Sequence, residues 1–429
     1  MLIHANDPYW PSVSLLVKNT GVNGANNNTF LDSSPNNFTV TRTGNVAQGS
    51  FGPATGVNSA YFDGNGDNLS VTNNAVFNFS TGDFTLETYY NSAVSLTTGN
   101  TLNDRFFFSA TGTGGLFFGI STGSAIEVGI GRTGTAWDNR VAITITPNTW
   151  NHIAVTRTSG TVRFWLNGAQ LGTSFTNTNS YNVSATSLNI GSQGSAYYWN
   201  GWLALARASN IARYTTNFTP STSYTSDANT SLFLQFNNAA IYDAASKNNI
   251  ETVSATVSST SIFNLNSIVF NGSSNLFIPS STDFGFGSGD WTVDGWLYQP
   301  STSADATLID TRTASNAGIS IYSSVATGGN NKLSYANNSA VLAFASVAFT
   351  ANTWSYWMVK RTSGIVTGFV NGVQVFSVSD TRTLASSTSA YIGRNYTSTQ
   401  PLNANTFDIR ITKGIARPNI VPAIPLPIY

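Results

Sequence analysis

The chain is expected to be all-β and built as two tandem sandwiches. Three observations carry that expectation: short runs of alternating apolar residues, Gly/Asn/Ser/Thr punctuation about every ten residues, and an internal repeat. In Val162-Arg163-Phe164-Trp165-Leu166, the residues Val162, Phe164 and Leu166 share one face, the period of a strand with one side on a core. Asn167-Gly168 follows, a pair that accepts the positive φ values of a tight hairpin turn, and Asn371-Gly372 repeats it. Ile143-Thr144-Ile145, the run from Phe84 to Tyr89 and the run from Leu232 to Phe236 extend the pattern. No capped window with a 3.6-residue apolar period competes with these strands.

The repeat covers nearly the whole chain. Asn148-Thr149-Trp150, then Thr156-Arg157-Thr158-Ser159-Gly160, then Leu166-Asn167-Gly168 recur as Asn352-Thr353-Trp354, Lys360-Arg361-Thr362-Ser363-Gly364 and Val370-Asn371-Gly372, each 204 residues on. Tyr61-Phe62-Asp63-Gly64 matches Val269-Phe270-Asn271-Gly272, and Gly82-Asp83-Phe84-Thr85-Leu86-Glu87 matches Gly289-Asp290-Trp291-Thr292-Val293-Asp294. A repeat of this length is a domain rather than a solenoid unit. The polar stretch Ser221-Thr222-Ser223-Tyr224-Thr225-Ser226-Asp227 is expected to divide them. That gives an N-terminal arm at 1–12, domains at 13–225 and 229–417, and a Pro-rich apolar tail at 418–429.

Composition narrows the function classes. The 429 residues carry 19 Lys+Arg against 19 Asp+Glu, and only 9% are charged, while 41% are hydrophobic and 13% aromatic. A nearly uncharged polar surface argues against nucleic acid and anionic membranes as partners. Cysteine is absent and the histidines are His4 and His152, which removes disulfides, thiolate nucleophiles and zinc clusters. The opening MLIHANDPYWPSVSLL lacks the basic and apolar regions of a secretory leader, so none is expected.

The order Phe-(Asp/Asn)-Gly, Gly-Asp-(Phe/Trp)-Thr-(Leu/Val)-(Glu/Asp), Asn-Thr-Trp, Arg, Gly and a hairpin at Asn-Gly resembles the laminin-G/pentraxin-like jelly roll. That is the concanavalin A-like lectin/glucanase superfamily, here in tandem and of the kind found in phage virion proteins. The resemblance implies two concanavalin A-like jelly-roll sandwiches, a scaffold that serves lectins, glycosidases, adhesion modules and viral structural proteins. Phe407-Asp408-Ile409-Arg410-Ile411 resembles the last strand of that fold, whereas Leu203-Ala204-Leu205-Ala206-Arg207 is expected to lack the charges found at Asp408 and Arg410.

Catalysis is not expected. A glycosidase needs two carboxylates flanking the bond, and related glucanases carry them along one strand. The matching strands here hold one each, Glu87 and Asp294, which are expected to pair with backbone or Arg. His152, replaced by Tyr356 in the second repeat, is expected to be a half-buried strand residue, and His4 a solvated one. Trp150, Trp354, Trp199 and Trp202 are assigned to the core.

Saccharides are recognised by flat rings beside amide and hydroxyl groups. The candidates are Tyr197 and Tyr198 in one aromatic loop and Trp137, Asn139 and Arg140 in another. Asp63-Gly64-Asn65-Gly66-Asp67 begins like a calcium loop but lacks its later Gly and Glu, so no cofactor is expected beyond a calcium ion held by Asp63 and Asp67. The expected function is that of a non-catalytic structural protein on a virus particle, a capsid decoration or tail fibre component of a bacteriophage, with weak glycan binding. Its partners would be other virion proteins, further copies of itself as a homo-oligomer, and surface glycans. The alternative is a carbohydrate-binding adhesion or lectin module for attachment to a host or cell surface.

Overall fold

The structure is a computed structural model that describes residues 7–99, 104–110, 114–132, 137–181, 187–300, 304–314, 317–324, 331–336 and 341–428. His4 lies outside these residues. Named strands pair antiparallel throughout, and the described residues contain short 3-10 turns but no α-helix. The chain forms two compact units. Residues 28–238 make one, the inserted unit; residues 1–27 and 239–429 make the other, the split unit.

Each unit is a two-sheet sandwich. In the inserted unit a closing sheet runs from Ala169–Thr176 through Thr161–Leu166, Asn151–Thr158, Phe84–Ser92 and Asn200–Ser209 to Ser59–Asp63 and Ala47–Gly49. A facing sheet runs from Trp137–Ala142 through Glu127–Arg132, Leu116–Ser121, Arg105–Ala110, Ser187–Ile190 and Asn68–Thr72 to Thr39–Thr43 and Phe30–Leu31. The split unit repeats the plan, with its facing sheet ordered Glu251–Val253, Asn275–Ser281, Thr388–Ile392, Ala306–Asp310, Ser320–Ser324, Lys332–Ala336 and Val341–Ala348.

Alternation places the cores as expected. Val162 and Phe164 join Phe62, Phe108, Phe118 and Trp199 between the sheets of the inserted unit. Trp291, Trp357, Tyr335 and Phe270 do the same in the split unit. Truncating a buried ring of this size costs roughly 3–5 kcal/mol. Asn167 and Gly168 have φ of +50° and +81°, and Asn371 and Gly372 +47° and +81°, the double left-handed turn that Asn-Gly supplies with least strain. Trp150 and Trp354 depart from the core assignment. Both are half-buried outside the main cores, Trp150 5.5 Å from the Phe51 ring and Trp354 5.6 Å from Tyr298. Trp202 is likewise half-buried, 4.8 Å from Tyr61.

The expected boundaries at 13–225 and 229–417 are not those of the units. Ser14-Leu15-Leu16-Val17 and Ser231-Leu232-Phe233-Leu234 are corresponding opening strands of the two repeats. Yet Val13–Asn19 sits in the split unit, between Ile241–Asp243 and the second half of Asn403–Lys413, with Leu16 opposite Arg410. Thr230–Leu234 sits in the inserted unit against Asn200–Ser209, with Arg207 opposite Phe233. Each repeat thus lends its opening strand to the sheet that the other repeat otherwise builds.

Two corresponding aspartates hold the exchanged strands. Asp243 Oδ1 accepts from the N–H of Leu16 at 3.0 Å and of Ala245 at 2.9 Å, while Oδ2 accepts from Lys247 and Asn248. Asp32, 211 residues earlier, accepts from Phe233 at 3.0 Å, Ser34 at 2.9 Å and Phe38 at 3.0 Å. The units divide at 27/28 and 238/239, again 211 residues apart, so the chain leaves each repeat's opening segment at the same structural point. The physical reason for the shifted boundaries is that a ladder of backbone N–H and C=O groups accepts any strand of the right alternation.

The arm and tail belong to the split unit. Lys18 Nζ donates to Asp408 Oδ1 at 2.6 Å and to the Leu426 carbonyl at 2.7 Å, and Asp408 Oδ2 accepts the Leu426 N–H. Arg417 contacts Asp7 at 2.9 Å. Val421 packs on Tyr356, Met358 and Phe369, while Leu426 and Trp10 pack on Val13 and Leu16.

Deleting residues 1–27 therefore opens the split unit and spares the inserted one. Hydrogen exchange followed by mass spectrometry is expected to show at least tenfold faster exchange in Asn403–Lys413, with Asn200–Ser209 as protected as before. The opposite pattern would return each opening strand to its own repeat.

Candidate functional site

The motifs shared by the two repeats are used up by the fold. Arg157 is buried, and its guanidinium donates to the carbonyls of Gly82, Asn179 and Ser80. Arg361 does the same to Gly289, Arg382 and Gly287. Asp83 accepts the Ser159 N–H at 2.7 Å and Asp290 the Ser363 N–H at 2.8 Å, clasping one hairpin turn in each unit. These groups are engaged by the backbone and hold the fold's turns and loops.

The paired acids are also internal. Glu87 accepts from Arg207 at 2.7 Å and from the Tyr214 hydroxyl at 2.8 Å, and contacts His152 Nε2 at 3.2 Å. Asp294 accepts from Arg410 at 2.8 Å and from the Tyr356 hydroxyl at 2.8 Å. Of the two partners expected, backbone or Arg, both acids take Arg. Arg207 is the counterpart of Arg410, each opposite the acid of the neighbouring strand, so the first repeat does not lack this charge. What differs is the residue at the bulge beside it, Leu205 in one repeat and Asp408 in the other, both at a φ of +52°. His152 is fully buried rather than half-buried, because Tyr224 and Phe218 cover the outer side of the sheet. Burial alone would raise the Glu87 carboxyl, but the hydrogen bond to His152 and the charge of Arg207 hold it down at about 2. Such a group is a fixed carboxylate, unsuited to delivering a proton.

The outer side of the inserted unit's facing sheet has a different character. One transverse row reads Thr41, Ser70, Asn189, Ser109, Phe117, Gly131, Trp137, each opposite the next. The next row reads Phe106, Gly119, Gly129, Arg140. Inward neighbours such as Phe107, Phe118, Val128 and Ile130 fill the core, which leaves these residues on the opposite face. The Trp137 indole lies parallel to the Phe106 ring, 5.6 Å away at 11°, and meets Phe117 edge-on at 4.9 Å. Tyr197 meets Phe106 from another direction at 5.8 Å.

Glycines make room for these rings. A Cβ on Gly129 would lie 2.6 Å from the Trp137 ring, and one on Gly131 2.4 Å from Phe117. Asp104 accepts a hydrogen bond from Trp137 and the Thr122 N–H at 2.7 Å, which fixes the indole. Arg140 reaches Glu127 at 2.9 Å and Ser121 at 3.2 Å.

Of the sequence candidates, Trp137 and Tyr197 meet through Phe106, and Arg140 lies one row away. Asn139 is turned aside, its Oδ1 accepting from Asn177 at 2.5 Å. Tyr198 is half-buried and, among the described residues, takes no part in the ring cluster. Phe106, Phe117, Asp104 and Glu127 were not singled out. The alternation of Gly129 and Gly131 with Val128 and Ile130 is the signal that marks a face kept bare for overlying rings.

Asp63 and Asp67 do not fit a calcium ion. Asp67 Oδ1 accepts the Asn45 N–H at 2.6 Å and Oδ2 the Asp63 N–H at 2.9 Å, so its carboxylate clasps the turn. Asp63 accepts the Asn65 N–H at 2.7 Å. Among the described residues no three acidic or histidine side chains converge as a metal site. Two turn-bound carboxylates fall short of the six to eight oxygens that calcium gathers.

Residues 63–217 and 270–416 each match the family model of the concanavalin A-like lectin/glucanases superfamily, of the laminin G type. No curated protein matches the chain in sequence. Among solved structures, domain 4 of an extracellular arabinanase from Geobacillus stearothermophilus, in complex with arabinotriose, is 19% identical, covers 40% of this chain and 86% of its own, at a TM-score of 0.34. Domains LG4-5 of the mouse laminin alpha1 chain are 11% identical over 85% of this chain and 91% of theirs, at 0.31. A putative carbohydrate binding protein from Bacteroides ovatus is 9% identical over 82% and 76%, at 0.31.

The low value at Glu87 has a pH consequence. A carboxyl depressed from the ordinary 4.5 to about 2 stabilises the fold above pH 4.5, and that contribution is lost as pH falls through this window. In chemical denaturation at pH 5, 4 and 3, the wild-type inserted unit is expected to weaken more steeply than a Glu87→Gln variant. The difference in slope is up to one proton, about 1.4 kcal/mol per pH unit. Equal slopes would show that Glu87 is not held as a carboxylate.

Proposed function

Because the chain belongs to the concanavalin A-like lectin/glucanases superfamily, we propose that it is a non-catalytic saccharide-binding protein that uses the outer side of the inserted unit's facing sheet. The observation that carries this reading is the pair of half-buried rings Trp137 and Tyr197, both seated on the buried Phe106 ring, beside the Arg140–Glu127 pair, with the Ser70 and Thr41 hydroxyls further along the same face. A sugar ring presents an apolar face of C–H bonds and a rim of hydroxyls, and this surface offers a partner to each. Half-buried rings give modest contact area, so single-site binding is weak and multivalent display raises it.

A second reading concerns where the module works. Ile420, Ile424 and Ile428 remain 68%, 45% and 54% exposed along the packed tail. Apolar residues spaced along an extended surface segment suit contact with a further protein. Together with the absent cysteine and the 9% charge, this supports placement on a virus particle, as a capsid decoration or tail fibre component of a bacteriophage. Its partners there would be other virion proteins and its own copies as a homo-oligomer. Specific antibody label on purified particles, viewed by electron microscopy, is expected in a regular pattern. Unlabelled particles would remove this placement and leave the saccharide-binding module.

The binding reading is tested on the full chain with an array of neutral oligosaccharides, followed by titration calorimetry on the best ligand. Trp137→Ala and Tyr197→Ala are each expected to weaken binding about tenfold or more, at a temperature where circular dichroism shows each variant still folded. Binding that neither substitution moves, or no saccharide bound at all, would overturn it.

A further inference from the structure

The corresponding face of the split unit carries other chemistry. Its transverse row reads Glu251, Phe277, Tyr391, Asp310, Ser320, Ala336, Val341, again each opposite the next. Tyr391 stands where the inserted unit has Asn189, and Val341 where it has Trp137. The rings have therefore moved to the opposite end of the row. Phe277 and Tyr391 lie 5.1 Å apart, and the Arg394 guanidinium lies 4.8 Å over the Tyr391 ring. Arg312 lies 5.6 Å over Tyr396 and forms a forked pair with buried Asp310, at 3.0 Å from Nε and 2.7 Å from Nη2.

The two guanidiniums differ in one respect that decides the ligand. The charge of Arg312 is matched by Asp310. Arg394 has no carboxylate within ion-pair distance among the described residues, and its one hydrogen-bond partner there is Ser398 Oγ at 2.5 Å from Nη1. Its Nε, shielded from water, has no acceptor. The loop that carries it is knit by Asn395, whose side chain donates to Thr399 Oγ1 at 2.9 Å and accepts the Thr399 N–H at 2.8 Å. A planar cation is thus held over an aromatic ring with donors unspent and its charge uncompensated.

We propose that this face is a second saccharide site, for an acidic sugar. Its carboxylate pairs with Arg394, and the sugar ring lies against Tyr391 and Phe277. One uncompensated guanidinium matches one anionic group, and the scarcity of charge over the whole chain disfavours a polyphosphate. Carboxylate pairing by a stacked guanidinium depends on its planar fork, which an ammonium does not reproduce. The inference rests on the saccharide-binding reading of the family fold but assigns a separate face, ligand class and residue set.

The test compares an oligogalacturonate with a neutral oligogalactoside of equal length, by titration calorimetry on the full chain. The acidic ligand is expected to bind at least tenfold more tightly, with an affinity that falls as salt is raised from 50 to 300 mM, conditions chosen to span the screening range. Arg394→Gln is expected to weaken the acidic ligand about tenfold, Arg394→Lys to restore only part, and neither to shift the thermal transition. Trp137→Ala is expected to leave acidic binding in place. Equal binding of the two ligands, or acidic binding untouched by Arg394→Gln, overturns this site while the Trp137 site stands. Failure of both ligands to bind overturns this site, while the Trp137 site is decided separately by the array of neutral oligosaccharides.

Discussion

A strand left open along its margin presents unpaired N–H and C=O groups, which cost free energy when buried and invite foreign strands when exposed. In both units the margin at risk is the second half of the last long strand, Asn200–Ser209 or Asn403–Lys413. In both it is filled by the opening strand of the other repeat. Everything else in the architecture follows from that exchange. The split unit receives residues 1–27, so both described chain ends lie in it, and Lys18 meets Asp408 across 390 residues of sequence. Burial lowers the Lys18 ammonium and raises the Asp408 carboxyl, and their 2.6 Å contact together with the Leu426 N–H and carbonyl offsets part of that cost. Contacts of such separation carry a loop-closure cost that grows only slowly with length, so one aspartate clasp and one ion pair are a proportionate fastening.

With the strands fastened, each sandwich needs the same internal parts. The buried arginines bound to carbonyls, the Asp83 and Asp290 turn clasps, and the Glu87–Arg207 and Asp294–Arg410 pairs recur because the fold requires them. Residues common to both repeats are for that reason poor guides to binding. The informative positions are those where corresponding rows differ: Asn189 against Tyr391, and Trp137 against Val341.

Much of this was legible in the sequence. Period-two alternation located the strands around 84–89 and 162–166, Asn-Gly located the hairpin turns, and the 204-residue spacing located the duplication, whereas Ile143-Thr144-Ile145 alternates in burial but lies beyond the end of Trp137–Ala142, outside any strand. Trp137 and Tyr197 were found as rings in polar loops. Phe106 and Phe117 were hidden because an apolar residue in a strand reads as core, and only the pleat decides which face it occupies. Arg207 was missed although it precedes Arg410 by the same 203 residues that separate Leu205 from Asp408, because the apolar residue at the shared bulge drew attention from the arginine beside it. The strand exchange was hidden for a deeper reason. Corresponding opening strands share one apolar pattern, and the residue that tells them apart, Lys18 against Gln235, shows its meaning only once Asp408 is seen to be its partner.

The chain has no cysteine, which permits a direct test of that exchange. Asn19 stands opposite Ile241 in the split unit, and the residue corresponding to Ile241 in the first repeat is Phe30. A variant with Asn19→Cys and Ile241→Cys is predicted to form an intramolecular disulfide on mild oxidation, since paired strands bring Cβ atoms within about 4.5–5.5 Å. A variant with Asn19→Cys and Phe30→Cys is predicted to remain reduced. A disulfide in the second variant and none in the first would contradict the exchange and return the opening strand to its own repeat.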